Sequence, residues 1–391
     1  MQQNLFRYSQ GLSKLPPYLM EEVARAKDCL VAQGYDLIDL GVGDPDGATY
    51  PHIVSSLKEA VDEPRTHHYA PGRGSLPLRQ AFADWFERRY QVNLDPEAEV
   101  LALLGTKEGI GHIHLAFVDP GDTVLIPDPG YPTYTSGTFL SGGEPLYYPL
   151  RSENHFLPDF SEIEQMDLSR ARILHINYPH NPTAAVADLK VFKEAAAFSS
   201  QYGLILCQDA AYNEITYDGF LAPSLLQVPE GKAVGVEFHS LSKTFNMPGW
   251  RVGFAVGNPR ILSGLAMVKS HLDTGMFMAI QQAACAALTG SARGPDQAIE
   301  TYRKRRDRMV EGLRRRGFRV EKPLGTFYLW VPIPERTTSL AFAKRLLEEA
   351  HIVVTPGEGF GQYGQGYIRM ALTVPEDRIE EGLRRLERLT F

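Results

Sequence analysis

The chain has 391 residues, 43% of them hydrophobic, with 35 Gly, 27 Pro and 40 Lys and Arg against 47 Asp and Glu; this is too long for one small core and too apolar for a disordered chain, so two or more packed units are expected. A formal charge of −7 provides no overall positive field for a phosphate backbone, which sets nucleic acid aside as a partner. The 3 cysteines, Cys29, Cys207 and Cys285, are odd in number and far apart, fitting neither a disulfide framework nor a zinc knuckle and implying a reducing compartment.

In chain order, Met1 to Arg7 leads into Ser and Pro rather than an apolar block, and no later stretch approaches the roughly 20 apolar residues of a spanning helix. A cytoplasmic protein with no membrane partner is expected. Leu15-Pro16-Pro17, a helix over Tyr18–Gln33 and the run Leu37–Leu40 come next. From about Asp95 to Asn258, short β-branched runs alternate with amphipathic ones. Val100–Leu104, Val124–Pro127, Ile173–Ile176, Leu204–Cys207, Val234–Phe238 and Val252–Val256 read as buried strands. Lys107–Phe117 and Leu189–Tyr202 read as helices between them. Such alternation predicts an α/β fold with a mostly parallel sheet flanked by helices.

Beyond Asn258 the pattern changes. Ile261–Leu288 and Pro295–Arg316 look helical, followed by the aromatic run Thr326–Val331, a helix Ser339–Ala350 and strands Ile352–Thr355 and Tyr367–Leu372. These shorter, mixed elements suggest a smaller α+β domain. A large domain over 45–285 is therefore expected, with 1–44 and 286–391 forming the small one. The basic runs Arg303–Arg306 and Arg314–Arg316 lie among apolar residues at helical spacing and read as a solvated helix face.

In open parallel sheets, ligands bind at the carboxyl ends of the strands, and four such ends are informative. Lys243, within His239-Ser240-Leu241-Ser242-Lys243-Thr244, is placed where partial desolvation would lower its pKa and free the amine as nucleophile and base; its bland reading is a surface lysine. Asp209 and Tyr212 could serve a protonated ring nitrogen and a ring oxygen, or be a helix cap and a packed phenol. Asn181 is held in a loop by Pro179 and Pro182. Gly105-Thr106-Lys107 opens a helix and can cradle a phosphate, or be an ordinary helix start. Together they specify a phosphorylated ring with a nitrogen, a hydroxyl and an aldehyde, which is pyridoxal 5′-phosphate.

With these residues in place, the chain resembles the fold-type-I class I/II aminotransferases, and among them the LL-diaminopimelate aminotransferase family. The likeness lies in Leu12–Leu19, Asp39–Asp46, Pro127-Asp128-Pro129-Gly130-Tyr131-Pro132 and Glu237–Thr244. It implies a pyridoxal phosphate enzyme of amino-acid biosynthesis, lysine biosynthesis included. Lys243 would bind the cofactor and shuttle the α-proton, Asp209 pair with the ring nitrogen, Tyr212 and Asn181 reach the ring oxygen, and Tyr131 stack on the ring. Gly105, Thr106, Lys107, Ser240, Ser242 and Arg251 would surround the phosphate, helped by Tyr69 from the other subunit of a homodimer. Arg369 would clamp the substrate carboxylate, with Tyr18 and Gly43 closing over it. The donor implied is LL-diaminopimelate and the acceptor 2-oxoglutarate. Alternatives are alanine, aspartate or an acylated diaminopimelate as donor, a C–S lyase, or a non-catalytic cofactor-binding protein. Two departures from the pattern stand out: Ala184 where the family usually has Gly, and Arg73 in a loop where many diaminopimelate enzymes are acidic.

Other motifs are set aside on context. Gly359-Phe360-Gly361-Gln362-Tyr363-Gly364 matches G-x-G-x-x-G, but a strand rather than a helix follows it. His112 and His114 face different ways on one helix, so no metal site is expected.

Overall fold

The structure is a computed structural model describing residues 6–15, 20–334 and 337–389. Its strands are β1 (Ile38–Asp39), β2 (Val100–Leu103), β3 (Thr123–Asp128), β4 (Glu144–Pro149), β5 (Ala171–Asn177), β6 (Ile205–Asp209), β7 (Gly235–Ser240), β8 (Gly253–Gly257), β9 (Tyr328–Pro332), β10 (Ile352–Val353), β11 (Thr355–Pro356) and β12 (Tyr367–Ala371). Seven of them form one sheet in the order β2-β8-β7-β6-β5-β3-β4. Neighbours from β7 to β4 pair in parallel, whereas β8 runs against both β2 and β7.

The sheet is covered on both faces, as its continuous apolar runs require. Val100 and Ala102 of β2 pack into one core with Phe82, Phe86 and Phe192. Leu101 and Leu103, pointing the other way, pack with Ile110, Phe238 and Leu262. Fully buried aromatic rings such as Phe82, Phe192 and Phe254 each contribute about 2–3 kcal/mol by leaving water. A further core lies under the three-stranded sheet β11-β12-β9 and joins Ile38 and Leu40 to Phe327, Phe342, Ile368 and Leu383.

Local chemistry sets the helix bounds. Leu189–Tyr202 starts after Asp188, whose carboxylate accepts from Lys190 N and Val191 N, and stops at Gly203 with φ 65°. These are the cap and the left-handed stop that such a helix favours. Among the described residues no helix is long and apolar enough to cross a membrane.

Three expectations are corrected and one strand is added. The Ile261–Leu288 stretch is two helices, Pro259–Leu272 and Met278–Thr289, parted at Gly275, where a Cβ would overlap the Pro71 carbonyl. Ile352–Thr355 divides between sheets, β10 pairing with β1 and β11 with β12. Glu144–Pro149, bracketed by prolines and unread as a strand, is an edge strand, where missing N–H groups are tolerated. The run Arg303–Arg306 is not simply a solvated face. Arg306 is wholly buried, paired with Asp218 at 3.0 Å and lying 4.5 Å over the Tyr217 ring. Arg305 makes two 2.8 Å bonds to Asp46. Both arginines are inside because carboxylates distant in sequence meet them there.

Candidate active site

The carboxyl ends of β3, β5, β6 and β7 converge on one rim of the large sheet. Asp209 closes β6 at 7% exposure. Its Oδ2 accepts from Tyr134 Oη at 2.9 Å and its Oδ1 from Ala211 N at 3.2 Å. No helix follows it, so it is not a helix cap. Burial raises its carboxyl to about 6 against the lowering effect of the Tyr134 bond. Behind Tyr134 stacks His175, with ring centroids 4.6 Å apart, and His175 Nε2 lies 3.1 Å from His114 Nε2. Desolvation brings His114 down to about 4, so this backing is uncharged near neutral pH.

Lys243 lies in the helical turn Leu241–Thr244 directly after β7. Its Nζ donates to the Gly43 carbonyl at 3.0 Å. Burial holds the ammonium below the usual lysine range, opposed by the nearby Tyr328 and Asp44. Gly43 is pressed so closely to Tyr328 that a Cβ there would overlap the phenol oxygen. That phenol lies 2.9 Å from Tyr212 Oη, so Lys243, Gly43, Tyr328 and Tyr212 form a continuous set of contacts.

Arg369, on β12, enters from the second sheet and is 8% exposed. Nη1 donates to Asn181 Oδ1 at 2.7 Å and Nη2 to the Gly41 carbonyl at 2.9 Å. Its guanidinium lies 4.1 Å from the Tyr328 ring centroid and 4.8 Å from that of Phe360. Asn181 is held in turn, its N donating to Asn177 Oδ1 at 2.8 Å, while Asn177 Nδ2 donates to the Asp209 carbonyl at 2.6 Å.

A polar cradle adjoins these groups. Gly105, at φ 82°, precedes the helix Thr106–Phe117, and a Cβ on it would overlap Arg251 Nη2. Only glycine combines that backbone with so close a guanidinium. Arg251 Nη1 donates to the Pro248 carbonyl at 2.9 Å. Ser240 Oγ accepts from Ser242 N at 3.2 Å, and Ser240 pairs with Gly253, two residues past Arg251.

Of the remaining expected residues, Tyr131 stands edge-on to Tyr134 with centroids 5.7 Å apart. Lys107 has an exposed side chain. Tyr69 is 93% exposed. Tyr18 lies outside the described residues. Reading the sequence missed Tyr134, Tyr328 and Phe360; nothing but the spacing of Tyr134 from Tyr131 hints at any of them. His112 meets Glu108 and Asp273, but Lys269 Nζ already lies 2.8 Å from Glu108 and 3.1 Å from Asp273 and supplies the positive charge there.

Comparison with known proteins bears on the chain as a whole. The family model described as aminotransferase class I and II matches residues 35–386. An LL-diaminopimelate aminotransferase of Moorella thermoacetica is 49% identical over 97% of this chain and 98% of its own length. One from Aquifex aeolicus is 46% identical, covering 98% of this chain and 100% of that protein. Substrate-bound BacF from Bacillus subtilis has a TM-score of 0.93 and 38% identity, covering 98% of both chains. The matched residues run from before Gly41 to beyond Arg369 and so contain every contact described above; the chain belongs to the class I and II aminotransferase family.

Proposed function

We propose that this aminotransferase uses pyridoxal 5′-phosphate to move an amino group from LL-diaminopimelate to a 2-oxo acid such as 2-oxoglutarate, in two half-reactions. The residues suit that cofactor. A buried carboxylate backed by neutral groups faces the rim, and the Gly105 cradle brings backbone N–H groups and a guanidinium together, as a phosphate requires. When bound, the cofactor supplies an aldehyde carbon that amines attack and a ring that takes up electron density.

The chain's own groups do the rest. Lys243 would be the nucleophile for the aldehyde and, as a free amine, would carry the proton to and from the substrate α-carbon; its depressed pKa supports both roles. Asp209 holds positive charge on the ring nitrogen. Tyr212 and Asn181 orient the ring hydroxyl, and Tyr131 covers a ring face. Gly105, Thr106, Lys107, Ser240, Ser242 and Arg251 hold the phosphate. Arg369 presents a planar fork to the substrate carboxylate, with Gly43 and Tyr18 closing above it. Tyr69, exposed within one chain, would complete the phosphate site of the partner in a homodimer. We assign 45–285 to the cofactor-binding domain and 1–44 with 286–391 to the smaller one.

The observation that carries this reading is a buried guanidinium, Arg369, sharing one contact set with a desolvated lysine. The choice of donor is supported by the full-length diaminopimelate relatives. Arg73, whose charge would disfavour a distal ammonium, instead donates to the Glu97 carbonyl of its own chain at 3.3 Å. The test is to incubate purified holoprotein with 2-oxoglutarate and, separately, LL-diaminopimelate, its N-succinyl derivative, alanine or aspartate. Glutamate formed fastest from LL-diaminopimelate is expected. Preference for another donor would overturn the substrate assignment, and pyruvate, ammonia and a free thiol formed from an added thioether amino acid such as cystathionine, whose C–S bond breaks, would indicate a lyase.

A further inference from the structure

Two stretches singled out by their sequence have no part in the chemistry above: Asp128, within the Pro127–Pro132 run, and the glycine-rich segment Gly359–Gly364. The structure joins them. Asp128 ends β3 at the rim of the large sheet and is 5% exposed. Its Oδ2 accepts from Gln362 N at 3.0 Å and its Oδ1 from Tyr363 N at 3.0 Å. Gly361 makes the approach possible, since its φ is 135° and a Cβ on it would overlap the Asp128 carboxylate. Beside this pair of bonds, Gly130 N donates to the Phe360 carbonyl at 2.8 Å.

The segment so gripped connects β11 to β12, and β12 carries Arg369. Phe360 lies against the Arg369 guanidinium and stands edge-on to Trp330, with centroids 6.1 Å apart. Arg369 therefore has two aromatic supports of different origin. Tyr328 belongs to its own sheet, whereas Phe360 is held in place by a carboxylate of the other sheet. Two parallel bonds from a guanidinium to a carboxylate depend on the orientation of its plane, and Phe360 adds a second ring to the Asn181 and Gly41 bonds and the Tyr328 ring that hold that plane.

We propose that Asp128 is a positioning residue for substrate recognition: by latching the backbone N–H groups of Gln362 and Tyr363 it seats Phe360, which helps set the plane of the Arg369 guanidinium for the substrate carboxylate. The proposal rests on the reading of Arg369 as the substrate clamp. Burial raises the Asp128 carboxyl and the two N–H donors oppose that rise, so those donors favour the charged, acceptor-only form that the latch needs. Of the glycines that imitate a dinucleotide motif, Gly361 is explained by the same contact, whereas Gly364 is pressed against the Gly357 carbonyl.

The test uses full-length holoprotein carrying Asp128→Ala, Asp128→Asn, Gly361→Ala, or Asp128→Ala with Gly361→Ala. The rate of the cofactor's absorbance change on mixing with LL-diaminopimelate, and separately with glutamate, yields an apparent dissociation constant and a limiting rate. Hydrogen exchange at the Gln362 and Tyr363 amides reports the latch without any chemistry. Each alanine single variant is expected to raise the dissociation constant about tenfold, keep the limiting rate within about twofold and speed exchange at both amides. The double variant is expected to be no worse than either single one, because both changes break one tie. Should Asp128→Ala fail to fold, Asp128→Asn, which keeps the size and one acceptor, is expected to raise the constant about threefold. Faster exchange with an unchanged dissociation constant would reduce the latch to a structural tie, and additive effects would separate the two residues; either overturns the proposal. A wild-type protein that binds cofactor yet responds to neither amino acid overturns the clamp reading itself, and the latch's role with it.

Discussion

The phenol of Tyr134 donates to Asp209 Oδ2 at 2.9 Å from a ring that has no exposure to solvent. It is the one side-chain donor among the groups that lower the Asp209 pKa, against a burial effect that raises it to about 6. Tyr134→Phe is therefore expected to move that pKa higher and to weaken binding of a cationic ring nitrogen at neutral pH, by about tenfold in the cofactor dissociation constant. Measuring that constant from pH 6 to pH 9 checks it. The loss should shrink toward pH 9, where Asp209 is ionised in both proteins, and a loss independent of pH would assign Tyr134 to packing alone.

Asp209 also carries a stability cost. Its folded pKa of about 6 exceeds the ordinary 3.8, so between those values the folded chain binds a proton that the unfolded chain has released. The cofactor-free protein thus escapes the cost at low pH and bears it in full above about pH 6, at about 3 kcal/mol. Asp209→Asn is expected to raise the melting temperature of the cofactor-free protein by several degrees at pH 8, with the gain fading toward pH 4, while abolishing transamination. Thermal unfolding across that range decides it, and an equal melting temperature at pH 8 would contradict the account.

Arg369 reaches Asn181 and Gly41 through different nitrogens of one fork, with rings at 4.1 and 4.8 Å from the guanidinium. Lysine can reproduce the charge but not the fork or the stacking. Arg369→Lys is expected to raise KM for both amino donor and 2-oxo acid about 100-fold, equivalent to about 3 kcal/mol, with cofactor content unchanged. Steady-state kinetics beside the cofactor absorbance test this. A change confined to kcat would place Arg369 away from the substrate carboxylate.

Tyr69 is 93% exposed in the single chain, so the phenol oxygen contributes little to that chain's own stability. Tyr69→Phe is expected to leave the unfolding free energy within about 0.5 kcal/mol and to weaken cofactor binding several-fold through the partner subunit. Mixing this variant with Lys243→Ala chains supplies the check. Hybrid dimers that pair an intact Lys243 site with an intact Tyr69 should show tighter cofactor binding than Tyr69→Phe dimers. Identical binding would end the cross-subunit assignment.

Much of this could be read from local chemistry. Asp188 and Gly203 announce the ends of a helix, and the apolar runs place Asn181, Asp209 and Lys243 just beyond strands, where ligands of parallel sheets bind. What escaped notice was set by partners far away along the chain. Tyr328 sits in an aromatic run that reads as core, and its meaning depends on Gly43. Arg305 and Arg306 belong to a run that reads as surface, and only Asp46 and Asp218 make it interior. Ala184, one of the two departures noted in the sequence, has φ 60°, the left-handed conformation in which glycine is at home.

The reversed strand β8 has one more effect. In an all-parallel sheet, a chain leaving Lys243 would return to the far edge before entering its next strand, about 17 Å away for a strand of this length. Because β8 runs backwards, the chain turns at the rim, and Ser240 and Gly253 lie side by side as its two gateposts. The amine and the Arg251 guanidinium thus ride on a single short loop anchored at both ends to neighbouring strands, and any displacement of that rim carries the two of them together.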